Sequence, residues 1–191
     1  MIRTFIAIDL PLAARDALEK VGKELQKTNG PVTWVKPERI HLTLKFLGDV
    51  SSEQIEDIQT ALQVVAAGAS AFRLRPMGCG AFPTIKQMRV VWVGLCGDDE
   101  PLRKLQKEVE TAMASLGFKP EDRPFRAHLT LGRVKGRQNL RALQEALLAL
   151  QTFEAEAFDV TELVLYKSEL RREGALYTPL FRAAFASVQQ I

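Results

Sequence analysis

The stretch Arg39-Ile40-His41-Leu42-Thr43-Leu44 returns later in the chain as Arg126-Ala127-His128-Leu129-Thr130-Leu131, with five of the six positions identical. The two histidines are the only ones among the 191 residues, and they lie almost half a chain length apart. A duplicated half-domain explains two matched copies better than coincidence does. The repeat therefore predicts two related halves, each of which contributes one His-x-Thr strand.

Strand geometry predicts how each copy of the repeat divides its side chains. In a β-strand, residues two positions apart share a face, so His41 and Thr43 point one way and Leu42 and Leu44 the other. The second copy follows the same alternation. We expect the leucines to anchor both strands in a core. If the halves are related by a pseudo-two-fold axis, both His–Thr pairs line one cleft from opposite walls.

The paired His-x-Thr motifs suit displacement at a phosphate diester. Such a reaction needs one group to take a proton from the nucleophile and another to give a proton to the leaving oxygen. Histidine has an ordinary pKa of about 6.5, so one ring can be neutral while the other is protonated near neutral pH. Thr43 and Thr130 offer hydroxyl donors to the non-bridging oxygens. The residues leave open whether His41 or His128 is the acid.

The remaining pattern predicts one mixed unit that covers residues 1–191. Hydrophobic periodicity and turn residues predict strands over 2–9, 40–47, 72–77, 89–95, 125–134, 160–168 and 176–185. Helices are expected over 11–28, 51–67, 100–116 and 140–150, the second of them opened by a capping box at Ser51. Because strands and helices alternate with no linker between them, we expect a single α+β domain.

The motifs and their flanks resemble a known superfamily. Two His-x-Thr/Ser-x tetrads are the mark of the 2H phosphoesterases. The flanking segments are similar to those of the bacterial and archaeal RNA 2′,3′-cyclic phosphodiesterases, also called 2′-5′ RNA ligases. These segments are residues 5–11, 34–35, 41–48, 123–133, 165–168 and 177–180. The likeness extends over nearly the whole chain.

The resemblance implies both a fold and a reaction. The fold would be bilobal, with two pseudo-two-fold related halves, antiparallel-rich sheets around a central cleft and helices outside. The reaction would be metal-independent hydrolysis of RNA 2′,3′-cyclic phosphate ends to 2′-phosphate. By the same likeness, His41 would be the proton donor, His128 the proton acceptor, and Thr43 and Thr130 the residues that bind phosphate.

Two residues that follow the first motif are further candidates for substrate contact. Lys45 shares the face of His41 if the strand stays straight, although a lysine at a strand end is commonly only solvated. Phe46 could stack on a base, but the alternative that it is a core aromatic is favoured.

Two arginines flank the second motif. Arg126 falls on the face of His128 and could hold the RNA backbone. Arg133 could clamp a phosphate with its planar guanidinium. Strict alternation places Arg133 on the face opposite Thr130, unless Gly132 marks a bulge.

Composition bounds the partners and the compartment. The net charge of +3 is too small to indicate nucleic-acid binding by itself but permits a local basic patch. Cys79 and Cys96 form no CxxC pair, the first residues do not resemble a signal peptide, and no apolar run approaches the roughly 18 residues of a membrane span. We therefore expect a cytoplasmic protein that enters no membrane. The partner that the resemblance implies is RNA ending in a 2′,3′-cyclic phosphate, and we expect the protein to be a monomer.

Several other chemistries lack their motifs in this sequence. Two histidines without a matching carboxylate pattern make a poor zinc site. No GxSxG or Walker A stretch is present, and residues 78–80 (Gly-Cys-Gly) do not continue as a dinucleotide-binding loop. We predict neither a metal nor a cofactor.

Three alternative functions remain open from sequence. A 2′-5′ RNA ligase would run the same site in reverse. A phosphodiesterase for small cyclic nucleotide phosphates would keep the chemistry and change the substrate. A catalytically silent RNA-binding protein would bind with strong salt dependence and without need of the histidines.

Overall fold

The computed structural model describes residues 1–171 and 174–186, which form nine strands and four α-helices. The strands are β1 (Ile2–Ile8), β2 (Val32–Trp34), β3 (Leu42–Val50), β4 (Phe72–Phe82), β5 (Val90–Gly97), β6 (His128–Val134), β7 (Phe158–Val160), β8 (Glu162–Arg171) and β9 (Gly174–Ala184). The helices are α1 (Leu12–Gln26), α2 (Ser52–Ala67), α3 (Asp99–Ser115) and α4 (Leu140–Ala149).

The strands form two antiparallel sheets, and each sheet holds one copy of the repeat. The first has the order β3-β1-β8-β9 and the second the order β2-β6-β5-β4-β7. In both sheets the motif strand pairs with an earlier strand, β3 with β1 and β6 with β5. This arrangement confirms the predicted α+β class with two related, antiparallel halves.

One hydrophobic core runs beneath both sheets. The four motif leucines are at most 4% exposed and belong to one continuous cluster with the buried faces of all four helices. The motif leucines therefore anchor their strands as predicted. Among the described residues, no helix is long and apolar enough to cross a membrane.

The opposite face of the first sheet carries a smaller cluster. Phe5, Ala7, Val164 and Tyr166 are buried there, and Tyr177 packs against them. Strands β1 and β8 therefore bury side chains on both faces, with the helices covering one face and the cleft side of the sheet carrying the aromatic rings.

Helix α2 begins as the sequence predicts. Ser51 accepts a hydrogen bond from the backbone N–H of Gln54, and the Gln54 side chain accepts one from the backbone N–H of Ser51. This reciprocal capping satisfies two N–H groups that the first turn would otherwise leave without partners.

Several strand limits differ from the prediction. Strands β3 and β6 begin at Leu42 and His128, later than expected, and β4 continues to Phe82, five residues beyond the end of the predicted strand 72–77. The glycine at position 80 is required in the strand, because a Cβ there would lie 2.4 Å from the Trp92 ring. Strand β2 was not predicted, since three residues are too few to show a period.

Candidate active site

Both histidine rings are fixed by the same local hydrogen bond. The Nδ1 atom of His41 lies 2.9 Å from the carbonyl oxygen of Arg39, and Nδ1 of His128 lies 2.7 Å from that of Arg126. A carbonyl oxygen only accepts hydrogen bonds, so Nδ1 carries the proton and donates it in both rings. Each Nε2 is therefore the basic atom of a neutral ring and a second proton donor once the ring is charged.

Aromatic rings fix the orientation of His41 further. Its ring stacks on Phe5 with centroids 4.6 Å apart, and Tyr177 meets it edge-on at 5.1 Å. Tyr166 in turn stacks on Phe5, with centroids 5.3 Å apart. His41 therefore lies on the cleft face of the first sheet, against the aromatic cluster of that face.

His128 has fewer aromatic neighbours. Phe82 meets its ring edge-on at 4.9 Å, and the Trp92 ring lies 5.2 Å from that of Phe82. The guanidinium of Arg126 stands 5.9 Å above the Phe82 ring. Arg126 is thus close to His128, as the sequence predicts, and it is exposed.

The two histidines influence one another electrostatically. Burial lowers the pKa of His41 below its usual value. The Arg39 carbonyl and the Asp9 carboxylate oppose this effect, whereas His128 lowers the pKa further. A charge on one ring is therefore felt by the other. The fold therefore brings the two predicted histidines, which come from different sheets, close enough for this electrostatic interaction.

An acidic residue with four partners, Asp9, stands beside His41. Asp9 forms ion pairs with Arg15 and with Arg182, the second at 3.3 Å. Burial alone would raise the pKa of Asp9, but Arg15, the backbone N–H of Leu10 and the Tyr166 hydroxyl hold that pKa below its usual value. Asp9 therefore remains a carboxylate at neutral pH.

The Tyr166 hydroxyl beside Asp9 keeps its proton. Burial and the charge of Asp9 raise the pKa of Tyr166 to about 12, so its hydroxyl stays protonated at neutral pH.

The same neighbourhood contains a cavity. The cavity has a volume of about 310 Å³ and opens beside His41. Its lining includes Asp9, Arg39, Tyr177 and Arg182.

Each motif strand carries a bulge at the same position. Ala7 pairs with Thr43 and Ile6 with Lys45, so Leu44 is left out of the ladder. In the second sheet Trp92 pairs with Thr130 and Val91 with Gly132, so Leu131 is left out. An extra residue reverses the side-chain alternation that follows it.

The first bulge makes the predicted orientation of Lys45 wrong. Lys45 pairs with Ile6, a core residue, instead of sharing the face of His41. It is 5% exposed, and its Nζ atom lies 2.6 Å from Oε2 of Glu110 on α3. Lys45 therefore lies on the helix side of the sheet, away from the cleft.

The same bulge reverses the expectation for Phe46. Phe46 is 65% exposed, so the favoured prediction of a core aromatic is wrong. It pairs with Phe5, and their ring centroids are 5.9 Å apart. Because Phe5 stacks on His41, the exposed Phe46 ring borders the cleft.

The second bulge places Arg133 on the face of Thr130. Arg133 pairs with Val90, and Val90 pairs with Phe82, the residue whose ring contacts His128. The exposed Arg133 is the counterpart of Phe46, because both follow their bulge by the same number of residues. The bulged residue is Leu131 and not Gly132, although the consequence for Arg133 is the one that a bulge predicts.

Sequence reasoning missed the residues that surround the histidines. Phe5, Asp9 and Tyr177 lie in segments that resemble the family, but the sequence alone assigned them no role, and Phe82 and Trp92 were only apolar positions. Their positions beside the histidines depend on strand pairing, which the sequence does not show. Among the residues that the structure describes, no group of three or more His, Cys, Asp or Glu side chains could hold a metal ion.

Comparison with known proteins gives one consistent family. The model of the 2′-5′ RNA ligase superfamily matches residues 12–172. An RNA 2′,3′-cyclic phosphodiesterase of Methanothermobacter thermautotrophicus is 35% identical over 179 residues, which cover 94% of this chain and 96% of the relative. A protein of the same name from Aeropyrum pernix is 36% identical over 170 residues, which cover 89% and 96%.

Solved structures agree with the fold over its length. The crystal structure of TT0787 of Thermus thermophilus has a TM-score of 0.81 and 26% identity, covering 98% of this chain and 100% of that one. That of Escherichia coli LigT complexed with 3′-AMP has a TM-score of 0.72 and 29% identity, covering 97% and 98%.

Proposed function

The chain belongs to the 2′-5′ RNA ligase superfamily, and on that basis we propose that it hydrolyses RNA 2′,3′-cyclic phosphate ends to 2′-phosphates without a metal. One observation carries the proposal. Each of the two histidines donates a hydrogen bond from Nδ1 to a backbone carbonyl oxygen, so each presents Nε2 as its reactive atom. A general base and a general acid are what displacement at a phosphate diester requires.

The proposed reaction is an in-line displacement by water. Nε2 of His128 takes a proton from water as its oxygen attacks phosphorus. The bond between phosphorus and the 3′ oxygen breaks as Nε2 of His41 gives that oxygen a proton. The products are a 2′-phosphate monoester and a free 3′-hydroxyl. His128 ends protonated and His41 neutral, and exchange with solvent restores both rings.

The threonines and the neighbouring charges support this assignment. The hydroxyls of Thr43 and Thr130 would donate hydrogen bonds to the non-bridging oxygens, where charge develops. Burial lowers the pKa of His41, which makes its protonated form a stronger acid. The Asp9 carboxylate raises the pKa of His41 and so opposes the effect of burial. The negative charge of a bound phosphate would raise this pKa as well, so substrate binding favours the protonated ring.

The surroundings of the cleft suit an RNA chain. The leaving 3′ oxygen belongs to the RNA, so the ribose and the preceding nucleotides would lie on the His41 side. There the cavity of about 310 Å³ opens, and Arg39 and Arg182 line it. The exposed Phe46 and Arg133 at the cleft border would contact a base and a phosphate respectively.

Location and assembly follow from the same proposal. All proposed site residues come from one chain, so a monomer suffices. Cys79 and Cys96 are free thiols, which the reducing cytoplasm maintains. We place the enzyme in that compartment.

Product analysis tests the proposed reaction. An oligonucleotide ending in a 2′,3′-cyclic phosphate is incubated with the protein in EDTA, and the product is identified by mass and by its resistance to a 3′-specific phosphatase. We expect a 2′-phosphate and no dependence on metal. Loss of turnover in EDTA would contradict the metal-free mechanism, and a 3′-phosphate product would contradict the assigned leaving group. A cyclic mononucleotide turned over equally well would identify the small-substrate alternative.

A 2′-5′ RNA ligase activity is the second candidate. Phe82, Trp92 and Arg126 form an aromatic and basic surface on the His128 side, where the attacking water would stand. A nucleoside with a 5′-hydroxyl could stack there and replace water as the nucleophile. Adding 5′-hydroxyl RNA to the hydrolysis reaction tests this: a joined 2′-5′ product would support ligation, and a 2′-phosphate alone would exclude it under those conditions.

A further inference from the structure

We propose that the buried ion pair between Lys45 and Glu110 is a positioning device that holds the two histidine strands in the relative placement that proton transfer requires. The proposal rests on the proposed function. It makes Lys45 a positioning residue, because its side chain lies on the helix side of the sheet and does not reach the substrate.

The lysine of the ion pair is almost completely removed from water, and the glutamate is largely so. The side chains of Lys45 and Glu110 are 3% and 18% exposed, and Nζ lies 2.6 Å from Oε2. Nζ also donates a hydrogen bond to the carbonyl oxygen of Lys119 at 3.0 Å. A buried lysine with such partners differs from an ordinary surface ion pair, which contributes little and tolerates displacement.

One end of the pair holds the bulge of the first motif. Lys45 follows Leu44, the residue that the bulge leaves out of the ladder with β1. The Gln106 side chain donates to the Leu44 carbonyl at 3.5 Å and to Glu110 at 3.4 Å. Helix α3 therefore binds the bulge immediately after Thr43 at two consecutive residues.

The other end of the pair holds the segment that leads to the second motif. Oε2 of Glu110 accepts a hydrogen bond from the backbone N–H of Glu121 at 3.4 Å, and Lys45 binds the Lys119 carbonyl. This segment continues to Arg126, whose carbonyl oxygen fixes the ring of His128. A single ion pair thus connects the strand that carries Thr43 with the segment that orients His128.

The Lys45–Glu110 ion pair with its hydrogen bonds to Lys119 and Glu121 is called the tether here. A glycine at the equivalent position of the second motif leaves no side chain that could form the same ion pair. This equivalent of Lys45 is Gly132, where a Cβ would lie 2.5 Å from a side-chain carbon of Val32. The bulge in β6 is instead enclosed by β2, which pairs with Gly132 through Trp34. Among the described strands, β3 lies at the edge of its sheet, so the contact with α3 takes the place of a neighbouring strand.

The test separates positioning from stability. The variants are Lys45→Met, Glu110→Gln, the apolar pair Lys45→Met/Glu110→Leu, and Lys45→Arg. Leu62→Ala, in the core at α2, is the control that loses stability and removes no member of the hydrogen-bonded network. Steady-state kinetics on the cyclic-phosphate oligonucleotide are measured at a temperature at which circular dichroism shows that all variants are folded. Histidine ring titrations by NMR report the surroundings of both rings without turnover.

We expect Lys45→Met and Glu110→Gln to lower kcat about 10- to 100-fold with little change in KM, because small misplacement of catalytic groups is costly. The apolar pair should be more stable than either of its single variants but should keep their low kcat. Lys45→Arg, which preserves the charge, should keep most of the wild-type kcat. Leu62→Ala should leave kcat unchanged. The His128 titration should shift in the tether variants alone.

Two results would overturn the proposal. One is an apolar pair that recovers kcat together with stability, and the other is a Leu62→Ala control that loses kcat as much as Lys45→Met does. If Lys45→Met fails to fold, the near-isosteric Glu110→Gln decides. If the wild type is inactive on the cyclic phosphate, the proposed function falls, while the histidine titrations still decide whether the tether positions the rings.

Discussion

The two copies of the repeated hexapeptide differ mainly in what surrounds them. Both hold Nδ1 on the carbonyl oxygen two residues earlier, and both carry a bulge after the threonine. Yet His41 packs against the aromatic rings of the first sheet and has a lowered pKa, whereas His128 meets one ring edge-on. The repeat sets the direction of the reactive nitrogens, and the surroundings give the two rings different contacts.

Replacing either histidine is expected to have the largest effect on activity. His41→Ala and His128→Ala should each lower kcat by about 10²- to 10⁴-fold, because each removes one proton-transfer group. Single-turnover assays with an excess of folded enzyme measure the loss. A variant that keeps more than about a tenth of the wild-type kcat would exclude that histidine from proton transfer.

The positions after the two bulges should differ in their effect on stability. Lys45→Met leaves Glu110 without its partner and should lower the free energy of unfolding by about 3–5 kcal/mol. Gly132→Ala forces a Cβ against Val32 and should cost about 1–3 kcal/mol. Urea denaturation compares the two variants. Equal losses would mean that the Lys45 pair is no more than a packing contact.

The residues that border the cleft should separate stacking from charge. Phe46→Ala removes a stacking surface worth about 1–3 kcal/mol, so KM for an oligonucleotide should rise at every salt concentration. Arg133→Ala removes one phosphate contact and should lower the salt slope of log KM by about 0.7. Kinetics at several salt concentrations check both. An unchanged KM in either variant would remove that residue from the substrate path.

The charge of Asp9 should affect one histidine and not the other. Asp9→Asn removes a negative charge that raises the pKa of His41, so that pKa should fall further. If His41 acts in its protonated form, kcat/KM falls as pH rises through this pKa, and the variant should lose activity at a lower pH than the wild type. NMR titration gives the pKa directly. A His128 titration that moves equally would show a general disturbance of the cleft.

The sequence was sufficient for the features that are local to the repeat. The motif leucines lie in the core and the two histidines are close enough to interact electrostatically, as strand alternation and a duplicated motif predict. The Ser51 capping box was equally readable, since its partners are three residues apart.

The sequence was insufficient wherever a second strand decides the geometry. A bulge exists only relative to a pairing partner, so the faces of Lys45, Phe46 and Arg133 could not be obtained from their own strands. The partner of Lys45 lies 65 positions further along, on α3. The rings that hold the histidines likewise meet them only after the sheets form.

A substrate with sulphur in place of the 3′ bridging oxygen tests the central claim most directly. A thiolate leaves without a proton, so this cyclic phosphorothiolate removes the need for a general acid but not for a general base. We predict that it restores much of the activity of His41→Ala and leaves His128→Ala inactive. Restoration of His128→Ala in place of His41→Ala would reverse the assigned roles, and restoration of neither or of both equally would contradict a division of labour between the two histidines.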